Sequence, residues 1–148
     1  MKQTVERKIM WGDLDALGIV FYPRYYEWID ACSNLFFEAI DMRLDTLWEK
    51  RKLLFGLVET SSRYTAPGRY HQRVKITTEI EGLDRKTVEF NHVIARAACD
   101  TLMLTAREKR ICLDVRDAQN IRAVDIPEDL FSVLNDAMNA IDAHQGNR

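Results

Sequence analysis

Two carboxylates, Asp13 and Asp15, stand on a short loop bracketed by Gly12 and Gly18, and a helix signalled by Pro23 follows at once. A carboxylate can act as a general base or as a nucleophile, and backbone N–H groups at a helix start can stabilise an oxyanion developing on a carbonyl. On an extended loop, alternation sends Asp13 and Asp15 to opposite sides. Aspartates ahead of a helix also do ordinary turn and capping work, and spacing alone leaves both readings open. Other chemistries find no support. None of Ser33, Ser61, Ser62 or Ser132 lies in a GxSxG elbow, His71, His92 and His144 show no HExxH or paired spacing, and the six glycines form neither GxGxxG nor a P-loop. No metal, nicotinamide or nucleotide cofactor is expected. His92 alternates with Phe90 and Ile94 and reads as a core histidine.

The elements that must position these groups follow from pattern and punctuation. Proline is favoured at the first helical position because its missing N–H has no intrahelical partner there, so Pro23 opens a helix that nothing interrupts before about Ile40. Its apolar residues Tyr25, Trp28, Ile29, Cys32, Leu35, Phe36 and Ile40 form a stripe wider than a surface helix needs, as expected of a central helix gripped by a sheet. Val5, Arg7, Ile9 and Trp11 alternate as a first strand, and Leu44 to Lys52 reads as a short second helix. The period then changes to two. Strands are expected over Leu53 to Thr65, Val74 to Glu81, Lys86 to Ala98 and Thr101 to Val115, with a short one at Ile121 to Val124. A helix from Pro127 to about Ala143 closes the chain, and His144 to Arg148 reads as a frayed end. The order specifies an α+β domain over residues 1–148, a curved antiparallel sheet around one long helix. Such a sheet has open edges, so a homodimer or a dimer of dimers is expected.

Bulk properties exclude several classes. With 148 residues, 47% of them hydrophobic, one domain is expected. A formal charge of −2, from 21 basic and 23 acidic side chains, provides no basic stripe for nucleic acid. Cys32, Cys99 and Cys112 form no CxxC pair, and the charged start is unlike a secretory segment, so a reducing cytoplasm is expected. No run of residues reaches the length of a membrane span.

The stretch WGDLDALGIVFYPRYYEWIDA, residues 11–31, resembles the signature loop and helix of the 4-hydroxybenzoyl-CoA thioesterase family of hotdog-fold enzymes. Weaker similarity continues through Arg63 to Pro67, Arg85-Lys86, Ala106 to Val115 and Arg122 to Pro127. The resemblance implies a hotdog fold and hydrolysis of an acyl-CoA thioester. It places the family's acid on Asp15, as nucleophile or general base, its oxyanion donor on the Tyr22 backbone N–H, and Gly18 where the loop comes close. It places CoA phosphate contacts on Arg85 and Lys86, although Asp84 stands where some relatives carry another base. It also puts Asp30, on one flank of the helix with Tyr26, Ser33, Asn34 and Phe37, against a hydroxyl on an aryl acyl group across the dimer interface. Alternatives are a thioesterase acting on acyl-carrier-protein thioesters and a non-catalytic acyl-CoA-binding hotdog module.

Overall fold

The computed structural model describes residues 1–141. Strand β1 (Lys2–Lys8) leads through a 3₁₀ turn (Trp11–Asp13) and the Asp15 loop into α1 (Pro23–Ala39). A short α2 (Leu44–Thr46) runs on into a π-helical turn (Leu47–Arg51). Then come β2 (Leu53–Tyr64), β3 (Arg73–Leu83), β4 (Thr87–Arg96), β5 (Leu102–Asp114), the two-residue β6 (Arg122–Ala123) and α3 (Glu128–Asn139). All strand pairs are antiparallel, in the order β1-β3-β4-β5-β2, with β6 against the end of β5. This is the hotdog fold, a curled half-barrel sheet around α1.

Helix α1 buries most of the stripe expected of it: Tyr25, Trp28, Ile29, Cys32 and Phe36 are each under 5% exposed, and Phe37, expected on the flank with Asp30, is buried with them. Leu35 is 40% exposed instead, because it falls on the flank turned away from the sheet. The core has two parts. One gathers Phe36, Phe37, Phe55 and Phe90 with Leu130 and Leu134 of α3; the other gathers Tyr25, Trp28 and Ile29 with Val74, Ile76, Ile94 and Leu104.

The boundaries differ from expectation in physically explicable ways. The first strand stops at Lys8, since the chain turns at Met10 to form the 3₁₀ turn, and Trp11 is left 72% exposed off the sheet. The short helix loosens to π geometry before Lys52, which ends it in the left-handed region at φ 52°. The last helix ends at Asn139, and Ala143 and the His144 to Arg148 segment lie outside the described residues.

Candidate active site

The loop before α1 is a tight reversal built on Asp15. Its carbonyl accepts from the Gly18 N–H at 3.0 Å, its own N–H donates to the Ile19 carbonyl at 2.9 Å, and Leu14 bridges Val20. Gly18 takes φ +73°, which β-carbon-bearing residues adopt reluctantly. A β-carbon there would meet nothing within 4 Å in this chain, so within the fold the left-handed turn is what calls for glycine. The crowded position is Gly68. A β-carbon on Gly68 would lie 2.8 Å from Ile9 and from the Tyr25 hydroxyl and 2.9 Å from Val20.

The two aspartates part company as alternation requires. Asp13 is buried, accepts from the Met10 N–H at 2.8 Å and faces Arg7 at 3.7 Å. That is structural work, closing the 3₁₀ turn. Asp15 accepts from the Leu17 N–H at 2.8 Å through one oxygen and lines an open groove of about 490 Å³. Ile19, Val20, Tyr22, Tyr25 and the segment Tyr64 to Gly68 complete its wall.

At the start of α1, Arg24 N–H donates to Phe21 and Tyr25 N–H to Tyr22, while Phe21 N–H is taken by the Asp13 carbonyl. Pro23 has no N–H. Among the described residues the Tyr22 N–H finds no acceptor, and Tyr22 shares the groove with Asp15. An unfilled backbone donor at the positive end of a helix dipole is where a carbonyl oxygen gaining charge is best accommodated.

Tyrosines dominate the mouth. Burial, then a hydrogen bond with Tyr26, push the Tyr64 phenol up to about 12, so it stays protonated at neutral pH. Sequence reasoning did not single out Tyr64, Thr65, Ala66 or Gly68 as site residues, because their approach to the loop depends on the Ile19–Arg69 bridge, a contact between distant segments.

Three expected site residues lie outside this groove of the single chain. Asp30 pairs with Arg110 at 2.7 Å on the flank of α1. Arg85 and Lys86, in the β3–β4 turn, both face Asp125, at 3.3 and 3.8 Å. Sequence reasoning also missed the partners of His92. That histidine is fully buried, as expected, with Thr78 at 2.9 Å and Glu108 at 3.2 Å. The available signal was Glu108 and Arg110 themselves, two charges on the inward row of β5 between Ala106 and Cys112.

A curled antiparallel sheet around a helix whose start carries an acid-bearing loop defines a thioesterase-like hotdog protein. The sequence model of the Thioesterase-like superfamily matches residues 9–134, and the chain belongs to that superfamily. It is 27% identical over 137 residues to 4-hydroxybenzoyl-CoA thioesterase of Pseudomonas sp. strain CBS-3, covering 89% of this chain and 96% of the relative. Its fold matches a mutant of 4-hydroxybenzoyl-CoA thioesterase complexed with 4-hydroxybenzoyl-CoA, with TM-score 0.83, 25% identity and coverage of 90% and 98% of the two chains. It also matches the gentisyl-coenzyme A thioesterase BH1999, with TM-score 0.76, 26% identity and coverage of 86% and 98%.

Proposed function

We propose that the chain hydrolyses an acyl-CoA thioester, with an aryl acyl group preferred, to the free acid and coenzyme A. The observation that carries this reading is the meeting of the Asp15 carboxylate and the unpartnered Tyr22 N–H on one groove. The thioester carbonyl oxygen is directed at Tyr22 N–H, where the start of α1 stabilises the charge of a tetrahedral intermediate. Asp15 either takes a proton from water as it attacks the acyl carbon, or attacks that carbon itself to give an anhydride that water then cleaves. In both routes the C–S bond breaks and the thiolate of coenzyme A leaves. A single turnover in ¹⁸O-water separates them, since only the anhydride route can leave label in the Asp15 carboxylate.

Arg85 and Lys86 attract the phosphates of coenzyme A, tempered by Asp125 between them. The working unit is a homodimer, or a dimer of such dimers, joined through β2. Among the described residues neither sheet edge has a further strand beside it, but the two edges differ. Edge β1 carries Lys2, Glu6, Arg7 and Lys8, charges that discourage pairing, whereas edge β2 exposes Leu57 at 54% and Val58 at 56%. Pairing through β2 brings Asp30 of one subunit to the acyl end of the other's groove. The relatives named for hydroxylated aryl groups support a hydroxyaryl substrate. The three free cysteines suit a cytoplasmic setting, and no helix among the described residues is long and apolar enough to cross a membrane. The test is release of coenzyme A from a panel of aryl and aliphatic acyl-CoA thioesters. Hydroxybenzoyl-CoA is expected among the best substrates, and no thiol release from any member overturns the reading.

A further inference from the structure

The inward rows of three neighbouring strands, apolar on either side, turn polar at mid-strand; a further buried charge, Asp114, lies at the far end of β5. Thr78 interrupts Ile76 and Ile80 on β3, His92 interrupts Phe90 and Ile94 on β4, and Glu108 with Arg110 interrupts Ala106 and Cys112 on β5. Ser33 of α1 faces them, and all five are 6% exposed or less. They form a polar belt between the two apolar halves of the core. Thr78 meets His92 Nδ1 at 2.9 Å, His92 Nε2 lies 3.2 Å from Glu108 Oε2, and Ser33 donates to the same oxygen. Glu108 Oε1 accepts from Arg110 Nη2 at 3.1 Å, and that same Nη2 donates to Asp30 Oδ1 at 2.7 Å.

Buried charge is costly unless its partners are fixed, so this arrangement has few alternative states. Burial would push the Glu108 carboxyl up, but the His92 hydrogen bond, the Arg110 charge and the Ser33 hydroxyl hold it at about 2. Glu108 therefore anchors Arg110 as an anion. The belt reaches solvent at Asp30, whose side chain is 57% exposed. One Asp30 oxygen is held by Arg110, and among the described residues the other has only a 3.5 Å contact from Asn34. An isolated aspartate on a helix flank would rotate freely; this one is pinned from behind with one acceptor oxygen left over.

We propose that Arg110 is a positioning residue that fixes Asp30 as the acceptor for a hydroxyl on the acyl group. The inference rests on the reading above that Asp30 meets the far end of the acyl chain, and it adds a second consequence. One guanidinium faces two carboxylates, so the belt presents excess negative charge and rejects an acyl group carrying an anion at that position. A merely structural ion pair would change stability, or the hydrolysis of all substrates alike. A positioning residue changes the ratio between substrates with and without the hydroxyl.

The experiment measures kcat and KM of the full chain for 4-hydroxybenzoyl-CoA, benzoyl-CoA and 4-carboxybenzoyl-CoA, in the parent, Arg110→Lys and Asp30→Ala. Lysine keeps the charge beside Glu108, but its shorter side chain ends short of the Nη2 position from which one nitrogen serves both carboxylates. The parent should prefer the hydroxylated substrate and discriminate against the carboxylated one. Arg110→Lys should reduce the hydroxyl preference roughly tenfold or more, on the scale of a lost hydrogen bond to a charged group, chiefly through KM of the hydroxylated substrate. Should it fail to fold, Arg110→Met with Glu108→Gln removes the buried charges together and should show the same loss. A folded Arg110 variant that keeps the parental preference, while Asp30→Ala loses it, overturns the role of Arg110 alone. An unaltered preference in Asp30→Ala, or none in the parent, overturns the Asp30 reading and this inference with it. Equal turnover of the carboxylated substrate overturns the exclusion of anions.

Discussion

Asp13 and Asp15 are two residues apart in sequence and entirely different in use. Asp13 gives its carboxylate to the Met10 N–H and faces Arg7, whereas Asp15 keeps an oxygen uncommitted on the groove. Asp15→Asn should therefore lower kcat by roughly 10²-fold or more, the scale of losing a general base, with an unchanged melting transition. Asp13→Asn should show the opposite pattern, a lowered melting transition with a smaller loss of turnover, because the amide donates nothing useful to Arg7. Parental turnover in a folded Asp15→Asn protein would remove Asp15 from the chemistry.

The start of α1 is set by the packing of three segments: the Asp15 loop, the helix and the chain around Gly68. Gly68 accepts from the Val20 N–H at 2.9 Å through its carbonyl and has no room for a β-carbon against Ile9, Val20 and Tyr25. Gly68→Ala should cost about 1–3 kcal/mol, as overpacking does, and should widen the groove. Urea unfolding and acyl-CoA turnover measured together check this; a variant of parental stability and activity would show that the neighbouring side chains yield freely. This is also where the limits of the sequence lie. Pro23, the α1 stripe and the alternation of β3 to β5 were legible because each rests on local periodicity and punctuation. The groove wall from Tyr64 to Gly68 was not, because nothing local to it announces which loop it will meet. The polar belt left a partial signal in Glu108 and Arg110. Its pairing with Ser33 and His92 depends on the level at which α1 crosses the sheet, which no single strand encodes.

At the scale of the whole molecule, the uncharged part of edge β2 and the ionised belt in the core make two separate predictions. Leu57→Lys places a charge on the exposed part of β2 and, on the proposed pairing through that edge, should leave a monomer in light scattering at assay concentrations where the parent chain forms a dimer, with loss of turnover. A fully active monomer of the parent chain would remove the shared site. The belt predicts how stability depends on acid. Glu108 is held at about 2 in the folded protein against an ordinary 4.5, so on acidification the unfolded chain takes up its proton first. Its contribution is fully present above about 4.5, declines as pH falls, and is gone once pH passes below the folded value of about 2. That contribution is on the order of 3 kcal/mol for a group so deeply buried. Asp114, held at about 2 chiefly by its hydrogen bonds with Arg116, adds acid sensitivity of the same sign, but it is common to both proteins in a comparison with Glu108→Gln and cancels in the difference. Glu108→Gln should be less stable than the parent at pH 7, since a neutral amide cannot compensate Arg110. It should also lose stability less steeply between pH 5 and pH 2, so the two curves converge in acid. Denaturant unfolding at intervals across that range gives both slopes. Parallel curves would mean that the acid sensitivity of the fold resides in other carboxylates and that Glu108 is not the ionised anchor of the belt.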